Sequence, residues 1–393
     1  MARLRLPLLA GAVGISALGD MVAVVPVALH LQERTGSGLV VAAVFVALWA
    51  PIVALAGPAG LLVDRVDPRR VLIAAALAQA AVASVLAFTD GTAAVLVLLA
   101  LLGCGAAVAQ PAEFALIPIV AGADVRRANS SVETLRALGF AVGPLVGGFL
   151  AAAGGMKLGL LVDAASFVLL GGIAWVLPAV RRAPAIHLAH GRARDGIVFL
   201  VRDDMLRLVL GVAFVSLLFM TASAPAEVFF AKDVLDAGDV GFGLLWGAWT
   251  VGMCFGGLVV ARRLGGAGVA LTMIVVQSAA LAVPTLWLSL AFACALYLVG
   301  GTAHGTKNVV VRTLIHERVP ARLHGRAFAA YNGIRNFAEL FAVVGGGLLI
   351  VAVGARWTLF VAGALPFVAG LGGLALYARR RRRLEEAPAA ATA

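Results

Sequence analysis

Five ionisable residues interrupt long apolar stretches of this chain: Asp20, Glu113, Glu133, Arg136 and Glu227. A charge inside such a stretch is costly and commonly marks a proton or substrate pathway. Asp20 has no basic residue one helical turn away, so we expect it to carry a proton, with Glu227 as a second proton site. The alternative, a packing aspartate hydrogen-bonded to a neighbouring helix, stays open for Asp20.

Two pairs have the spacing of helical neighbours. Glu133 and Arg136 are three residues apart, and Arg335 and Glu339 are four apart, so each pair shares a helix face. We expect Glu113 to join the first pair in one network, although a structural ion pair is the alternative for both. Asp163, which we place on a peripheral helix near its outer end, is expected to serve packing.

The stretch 300–307 has the glycines of a phosphate-binding loop, but Thr306 stands where that loop needs lysine. With no preceding strand, it predicts no nucleotide site, and His304 and Lys307 simply share a helix face. The three cysteines match neither a metal motif nor a disulfide framework. We therefore expect no cofactor, no metal and no enzymatic activity, with an ion gradient as the energy source.

The composition requires a bilayer as solvent. The chain has 393 residues, of which 62% are hydrophobic. The net charge of +11 lies in short loops and not on one face, which argues against nucleic acid as a partner. Since a span needs about 20 apolar residues, we predict an all-α membrane protein with twelve spans. Their ranges are 5–31, 38–63, 71–88, 93–119, 128–153, 157–179, 204–230, 238–261, 267–288, 290–313, 324–351 and 355–378.

Basic residues set the orientation of these spans. With the N-terminus in the cytoplasm, 24 of the 31 basic residues fall in cytoplasmic segments and four fall outside. The positive-inside rule then places both termini in the cytoplasm of a multi-pass protein.

The spans form two similar halves. Arg136, Gly147 and Gly148 recur as Arg335, Gly346 and Gly347, each at an offset of 199. We predict two pseudo-symmetric six-helix bundles, 1–180 and 204–378. A cytoplasmic linker at 181–203 contains a possible amphipathic helix, and a basic tail occupies 379–393.

A polar turn between the second and third spans carries the most specific motif. We expect Gly57 and Gly60 in it to allow close helix packing. The motif's matching residues are Gly60, Asp64, Arg65, Arg69 and Arg70. They resemble the Gly-x-x-x-Asp-Arg-x-Gly-Arg-Arg signature of the major facilitator superfamily, and the chain departs from it at Asp67 and Pro68. The resemblance implies a transporter that works by alternating access, with these five residues as a cytoplasmic gate.

The fifth span contains a second motif, composed of Gly139, Gly143, Pro144, Gly147 and Gly148. It resembles the antiporter signature of the superfamily's drug exporters, in the branch of macrolide efflux proteins and the enterobactin exporter. The resemblance implies multidrug-type efflux by proton antiport across a bacterial cytoplasmic membrane. Ordinary close packing between helices is the alternative explanation of these glycines.

Aromatic and polar residues of several spans are candidates to line a substrate cavity. They are Trp49, Phe140, Trp246, Trp249, Tyr331, Arg335, Phe337 and Glu339. A largely apolar cavity suits a hydrophobic or amphipathic small molecule, such as a drug, siderophore or natural product.

Two other functions stay open at this point. One is a proton symporter that imports a small nutrient, and the other is a membrane scaffold or sensor that transports nothing. We expect the partners to be a small-molecule substrate, protons and lipid, and we expect the protein to be a monomer.

Overall fold

The computed structural model describes residues 5–121, 125–177, 193–320 and 324–390, and within these ranges the chain is helical with short connections. Eleven helices follow one another. They are α1 (Arg5–Thr35), α2 (Gly38–Arg65), α3 (Pro68–Leu86), α4 (Thr92–Ala121), α5 (Val125–Val176), α6 (Ala193–Arg202), α7 (Asp204–Phe229), α8 (Gly238–Leu258), α9 (Ala267–Ala282), α10 (Leu290–Arg318) and α11 (His324–Ala390).

Two of these helices are long enough for two spans each, and each breaks at a glycine. Gly155 in α5 has φ 62° and Gly354 in α11 has φ 78°, a region that glycine enters without the steric cost of a Cβ. The two breaks are themselves 199 residues apart, so the internal repeat extends to the backbone conformation.

Among the described residues, nine helices are long and apolar enough to cross a membrane. The breaks divide two of them, and α10 adds a further span of 29 residues. Its mean hydropathy is lower because it carries a polar face that includes His304 and Lys307. The predicted all-α fold with twelve membrane spans is confirmed. The last helix runs past residue 378 to Ala390, because arginine, leucine, glutamate and alanine all favour helix.

The departure from the loop signature at Asp67 and Pro68 has a local cause. Asp67 is the N-cap of α3, and its carboxylate accepts a hydrogen bond from the Arg69 backbone N–H at 3.0 Å. Pro68 occupies the first helical position, where its missing N–H leaves no bond unmade. The pair therefore starts α3 in the place of the usual glycine and basic residue.

The first compact unit comprises Met1–Leu188 with Ala231–Gly247. Its apolar core has two clusters. One includes Leu9, Leu72 and Ile117, near the α2–α3 turn, and the other includes Leu31 and Leu86, toward the opposite end of α3. On α1, Asp20 lies between the residues of the two clusters, so the helix carries this carboxylate in the middle of the unit.

Residues 231–247 join this unit through polar and close backbone contacts. The Gln32 side-chain amide donates to Asp233 at 3.0 Å, and Lys232 forms ion pairs with Glu33 and with Asp239. A charged cluster of this kind holds the end of α1 against the start of α8.

The second compact unit comprises Ala189–Phe230 with Ala248–Ala393. Its core includes Leu206, Leu271, Val311 and Ile315, which are buried where α7, α9 and α10 meet. The Asp203 carboxylate caps α7 through the backbone N–H groups of Met205 and Leu206, and it also pairs with Arg318 at 2.9 Å. The start of α7 is thus tied to the end of α10.

Glycines of the fifth span pack α5 tightly against α1. A Cβ built at Gly139 would lie 2.3 Å from the Gly14 carbonyl oxygen, and one at Gly143 would lie 2.4 Å from Met21 Cβ. The repeat shows the same device in the second unit, where a Cβ at Gly346 would lie 1.9 Å from the Ala222 carbonyl oxygen of α7. Small residues at these sites are therefore a steric requirement of the helix pairs.

Gly57 and Gly60 do not pack in this way. A Cβ built at either position would meet no atom within 4 Å. The expected close packing at these two glycines is wrong for this structure, since their side of α2 faces open space.

Candidate functional site

A cavity of about 140 Å³ lies inside the first unit, and residues of the second apolar cluster, such as Val27 and Leu99, line part of it. Asp20 of α1 and Asp163 of α5 both line it. The two helices meet closely here, because a Cβ at Gly19 would lie 2.7 Å from Asp163 Oδ1. Ser166 donates a hydrogen bond to the Asp163 carboxylate at 3.3 Å. The cavity therefore holds two carboxylates on facing helices, and the charges of the two interact.

Asp163 corrects an expectation drawn from the sequence. Its side chain is only 2% exposed, and it faces the cavity of Asp20 and not a peripheral surface. The residue type could have indicated this, because an aspartate inside an apolar run is a candidate for a functional residue. The break at Gly155 sets the direction of the helix segment that carries Asp163. The sequence did not predict that this direction brings Asp163 to α1.

Glu113, Glu133 and Arg136 form one chain of contacts in the first unit. Arg136 Nη2 lies 2.8 Å from Glu113 Oε2, and Arg136 Nε lies 3.6 Å from Glu133 Oε1. The Glu113 side chain is 8% exposed, whereas that of Glu133 is 53% exposed. Asp20 interacts electrostatically with both Glu113 and Arg136. Ionisable groups thus lead from the buried cavity to the surface.

The five residues of the loop signature have different surroundings. Gly60 meets no neighbour, and Asp64, Arg65 and Arg70 are exposed. Arg69 instead binds the end of α5, where Nε donates to the Ala174 carbonyl at 3.1 Å and a second nitrogen donates to the Trp175 carbonyl. Basic groups stabilise the unsatisfied carbonyls of a helix C-terminus. Arg69 therefore anchors the loop to α5.

The remaining motif residues fill the contacts of α5. Gly147 packs on α1, where an added Cβ would lie 3.0 Å from Val25 Cβ. Gly148 packs on α8, where it would lie 2.7 Å from Gly243 Cα. The carbonyl of Pro144 lies against Gly243 as well. The structure therefore supports a packing role for every residue of the motif.

Glu227 is half-buried in α7 and accepts a hydrogen bond from Ser223 at 2.8 Å. It also interacts electrostatically with Tyr297 of α10, a fully buried tyrosine. Glu227 belongs to the second unit and is not among the residues that line the cavity of about 330 Å³ in that unit.

A larger cavity, about 330 Å³, lies inside the second unit. Its polar lining includes His304 and Lys307 from α10 and Tyr331, Arg335 and Glu339 from α11. Arg335 Nε lies 3.5 Å from Glu339 Oε1, so the expected pair is present as a contact. His304 and Lys307 are almost fully buried, at 7% and 3% exposed.

The imidazole of His304 has partners on both ring nitrogens. Gln277 donates to Ser216 at 2.6 Å, which leaves its side-chain oxygen to accept from His304 Nδ1 at 3.2 Å. On the other side, the Asn308 amide donates to His304 Nε2 at 2.9 Å. This network assigns a neutral ring with its hydrogen on Nδ1.

The sequence did not predict that His304 and Lys307 line a cavity. The charge of Lys307 inside an apolar run was the available signal. The glycines around them have another use, since Cβ atoms at Gly301 and Gly305 would each lie 2.0 Å from a backbone oxygen of α8. The loop-like glycine pattern therefore reflects the close packing of α10 on α8.

The eight candidates for a substrate cavity have different surroundings within the two units. Trp49 and Phe140 line the smaller cavity, and Trp246 packs on Phe45 and Phe242 of the same unit. In the second unit, Trp249 packs on Tyr297 and His304. Tyr331, Arg335 and Glu339 line the larger cavity, while Phe337 is 58% exposed in a shallow apolar groove.

Known proteins place this architecture in a family. The model of the Major Facilitator Superfamily matches residues 9–343. A curated relative, the uncharacterized MFS-type transporter YfiS of Bacillus subtilis (strain 168), is 23% identical over 381 residues, covering 91% of this chain and 89% of its own length.

Solved transporters share the fold at low identity. The nucleoside transporter NupG matches with a TM-score of 0.74 and 12% identity, covering 95% of this chain and 99% of that one. An auto-inhibited peptide transporter of the POT family matches with a TM-score of 0.70 and 14% identity, covering 96% and 97%. With the family model matched over most of its length, the chain belongs to the major facilitator superfamily and is a membrane transporter of that type.

Proposed function

We propose that this transporter exports an amphipathic small molecule by proton antiport, as the drug exporters of its superfamily do. The observation that carries the proposal is the pair Asp20 and Asp163, two carboxylates that share one cavity in the membrane-spanning part of the first unit. Two carboxylates whose charges interact titrate as a coupled pair, so this pair can take up a proton and release it when its surroundings change. We assign proton coupling to this pair.

The path for that proton follows the ionisable groups of the first unit, which interact with one another electrostatically. Glu113 and Arg136 interact with Asp20, and Arg136 reaches the exposed Glu133. Under the positive-inside orientation, these groups lie on the cytoplasmic side of Asp20. Protons that cross from outside would leave by this route as substrate leaves the cell.

The proton gradient supplies enough energy to drive export of a substrate. One proton that crosses ~100 mV supplies about 2.3 kcal/mol, enough for roughly a fifty-fold gradient of substrate.

The cytoplasmic gate is assigned to Asp64, Arg65 and Arg70, which are exposed, whereas Arg69 is held at the end of α5.

The test uses inverted membrane vesicles that acidify their interior by respiration and report the pH gradient with a fluorescent dye. Lipophilic drugs and siderophores are added in turn. We expect some compound to dissipate the gradient in the wild type and to accumulate in the vesicles. D20N and D163N should abolish both effects, because an amide cannot carry the proton.

The matched control is D90N, since the Asp90 side chain is exposed in a loop and its backbone oxygen is the atom that binds Arg34. D90N should behave as the wild type. Antiport is contradicted if no compound moves protons, and export is contradicted if the compound leaves the vesicles together with protons. Unchanged proton movement in D20N would contradict the role of the pair.

A further inference from the structure

We infer that the cavity of the second unit is an anion site, and that the transported molecule is an amphipathic organic anion held at Lys307. This inference rests on the proposed function, and it names the class of substrate. The occupant would carry a carboxylate, sulfonate or phosphate group on an apolar body.

The first step is that Lys307 lacks a carboxylate partner among the residues that the structure describes. Its side chain lines the cavity and is 3% exposed. Within that same part of the chain, its one polar contact is His304 Nδ1, at 3.4 Å. That nitrogen already donates to Gln277, so it offers the ammonium group no acceptor. The Glu339 carboxylate attracts Lys307 electrostatically, but its contact is with Arg335. A buried ammonium with no carboxylate in contact is unfavourable, and an anionic ligand would relieve it.

The second step is the charge of the whole cavity. Arg335 is already beside Glu339, which is the one carboxylate among the cavity's described lining residues. Arg335 Nε is buried without a hydrogen bond. Arg207, a third cation on the lining, pairs with Asp204 outside it. The cavity therefore holds one more positive charge than it balances, and it offers unmade hydrogen bonds from two side chains.

The third step is the apolar remainder of the cavity. Its walls include Leu210, Phe214, Leu217, Met220, Val311 and Ile334. The volume of about 330 Å³ lies in the range of small-molecule sites. Lys307 and Arg335 lie on α10 and α11, Arg207 of α7 is paired with Asp204, and the rest of the α7 lining is apolar. The best ligand therefore has an anionic head and an aromatic or aliphatic body. A permanently cationic drug would meet repulsion here.

The experiment compares two ligands of equal shape. Purified protein in a neutral maltoside detergent, which supplies no anionic headgroup, is titrated with 2-naphthoate and with 2-naphthamide by calorimetry. We expect the wild type to bind the carboxylate about tenfold or more tightly than the amide, because charge-assisted hydrogen bonds are about twice as strong as neutral ones.

The variants identify the residue. K307M should remove the preference for the carboxylate and leave amide binding within about twofold, since the apolar walls are unchanged. K307R keeps the charge and should keep the preference. K157M is the matched control, because Lys157 is exposed and packs over Phe88 in the other unit.

Equal affinity of the two ligands in the wild type, or a preference that survives in K307M, would overturn the anion site. These titrations measure binding without a proton gradient or transport, so their result does not depend on whether the protein exports its substrate. An anion preference without export in vesicles would remove the proposed function alone, and export without the preference would remove the anion site alone.

Discussion

At the level of single residues, Arg136 has two carboxylate partners in very different surroundings. Glu113 is buried and lies 2.8 Å away, whereas Glu133 is half exposed and lies 3.6 Å away. A buried ion pair holds each charge in place by the other, and a surface pair adds little because water screens it. The two contacts of one guanidinium group should therefore differ widely in energy.

This difference is testable by unfolding. Removing one member of the buried pair with E113Q or R136M should destabilise the protein by about 3–5 kcal/mol, since the other charge is left unpaired. E133Q should cost less than about 1 kcal/mol. Thermal unfolding in detergent measures both, and the E113Q/R136M double variant should lose less than the two single losses combined. An equal effect of E133Q and E113Q would contradict this account.

Asp203 gives a pH-dependent prediction at the same scale. Desolvation acts to raise its pKa, but hydrogen bonds from the Leu206 N–H and from Arg318 outweigh it, so the pKa of Asp203 is lowered. A carboxyl with a lowered pKa contributes stability above its unfolded pKa of about 3.9, and the contribution is lost as the pH falls through the folded value.

D203N keeps the capping oxygen and removes the charge, whereas D203A removes both. At neutral pH we expect D203A to be less stable than the wild type by about 1–2 kcal/mol and D203N by less. The gap between wild type and D203N should begin to narrow below about pH 4, near the unfolded pKa, and should close only when the pH falls below the lowered folded pKa of Asp203. Melting curves from pH 7 to pH 3 provide the check, and a gap that is constant with pH would exclude the charge contribution.

At the level of elements, small residues decide which helices touch. Gly139, Gly143 and Gly147 place α5 on α1, and the repeat presents Ala338, Ala342 and Gly346 at the corresponding sites of α11. Both alanines are buried. A small residue at every fourth position therefore recurs in the second half, even where glycine itself does not.

The packing role gives a matched pair of substitutions. G346A should destabilise the protein by about 1–3 kcal/mol, because its Cβ would lie 1.9 Å from the Ala222 oxygen and the helices must separate. G172A lies on an exposed helical position with no atom within 4 Å. It should be neutral or stabilising by up to about 1 kcal/mol, since alanine favours helix. Thermal unfolding measures the stability of both variants. If G346A lost no more stability than G172A, the helices would accommodate the added Cβ and the packing role would be contradicted.

At the level of the whole molecule, the two halves have corresponding helices but different ionisable residues at corresponding positions. At the repeat offset, Asp20 aligns with Phe219 and Glu113 aligns with Arg312. The ionisable residues that line the cavity of the first unit are carboxylates, and those that line the cavity of the second unit are mainly cations. The two halves can thus serve different ligands, a proton in the first and an organic anion in the second, as proposed above.

The orientation of the whole chain is a prediction that labelling can check. In a variant without native cysteines, V66C reports the α2–α3 turn and G91C reports the α3–α4 turn. We expect a membrane-impermeant maleimide to label G91C on intact cells and V66C only after permeabilisation, because the basic residues near position 66 are retained in the cytoplasm. The reverse pattern would invert the assignment of the gate.

The architecture of this protein was predictable from its amino-acid sequence. Apolar run length is a local property, so it predicted the twelve spans and placed the breaks within a few residues of Gly155 and Gly354. The repeat, the polar motif between the second and third spans and the glycine motif of the fifth span indicated the family, which the family model confirms. The spacing of Glu133 and Arg136 predicted that they share a face.

Contacts between helices, in contrast, became known from the folded chain. Folding brought Asp163 to Asp20, placed Trp49 and Phe140 in one cavity and Tyr331 in another, and left Gly57 and Gly60 without close neighbours. It also placed Lys307 in a cavity with Arg335. These contacts were hidden because a membrane helix is apolar on nearly every face, so hydrophobic periodicity does not reveal the face that turns inward. Close backbone contacts at small residues set that rotation, and these depend on both helices of a pair.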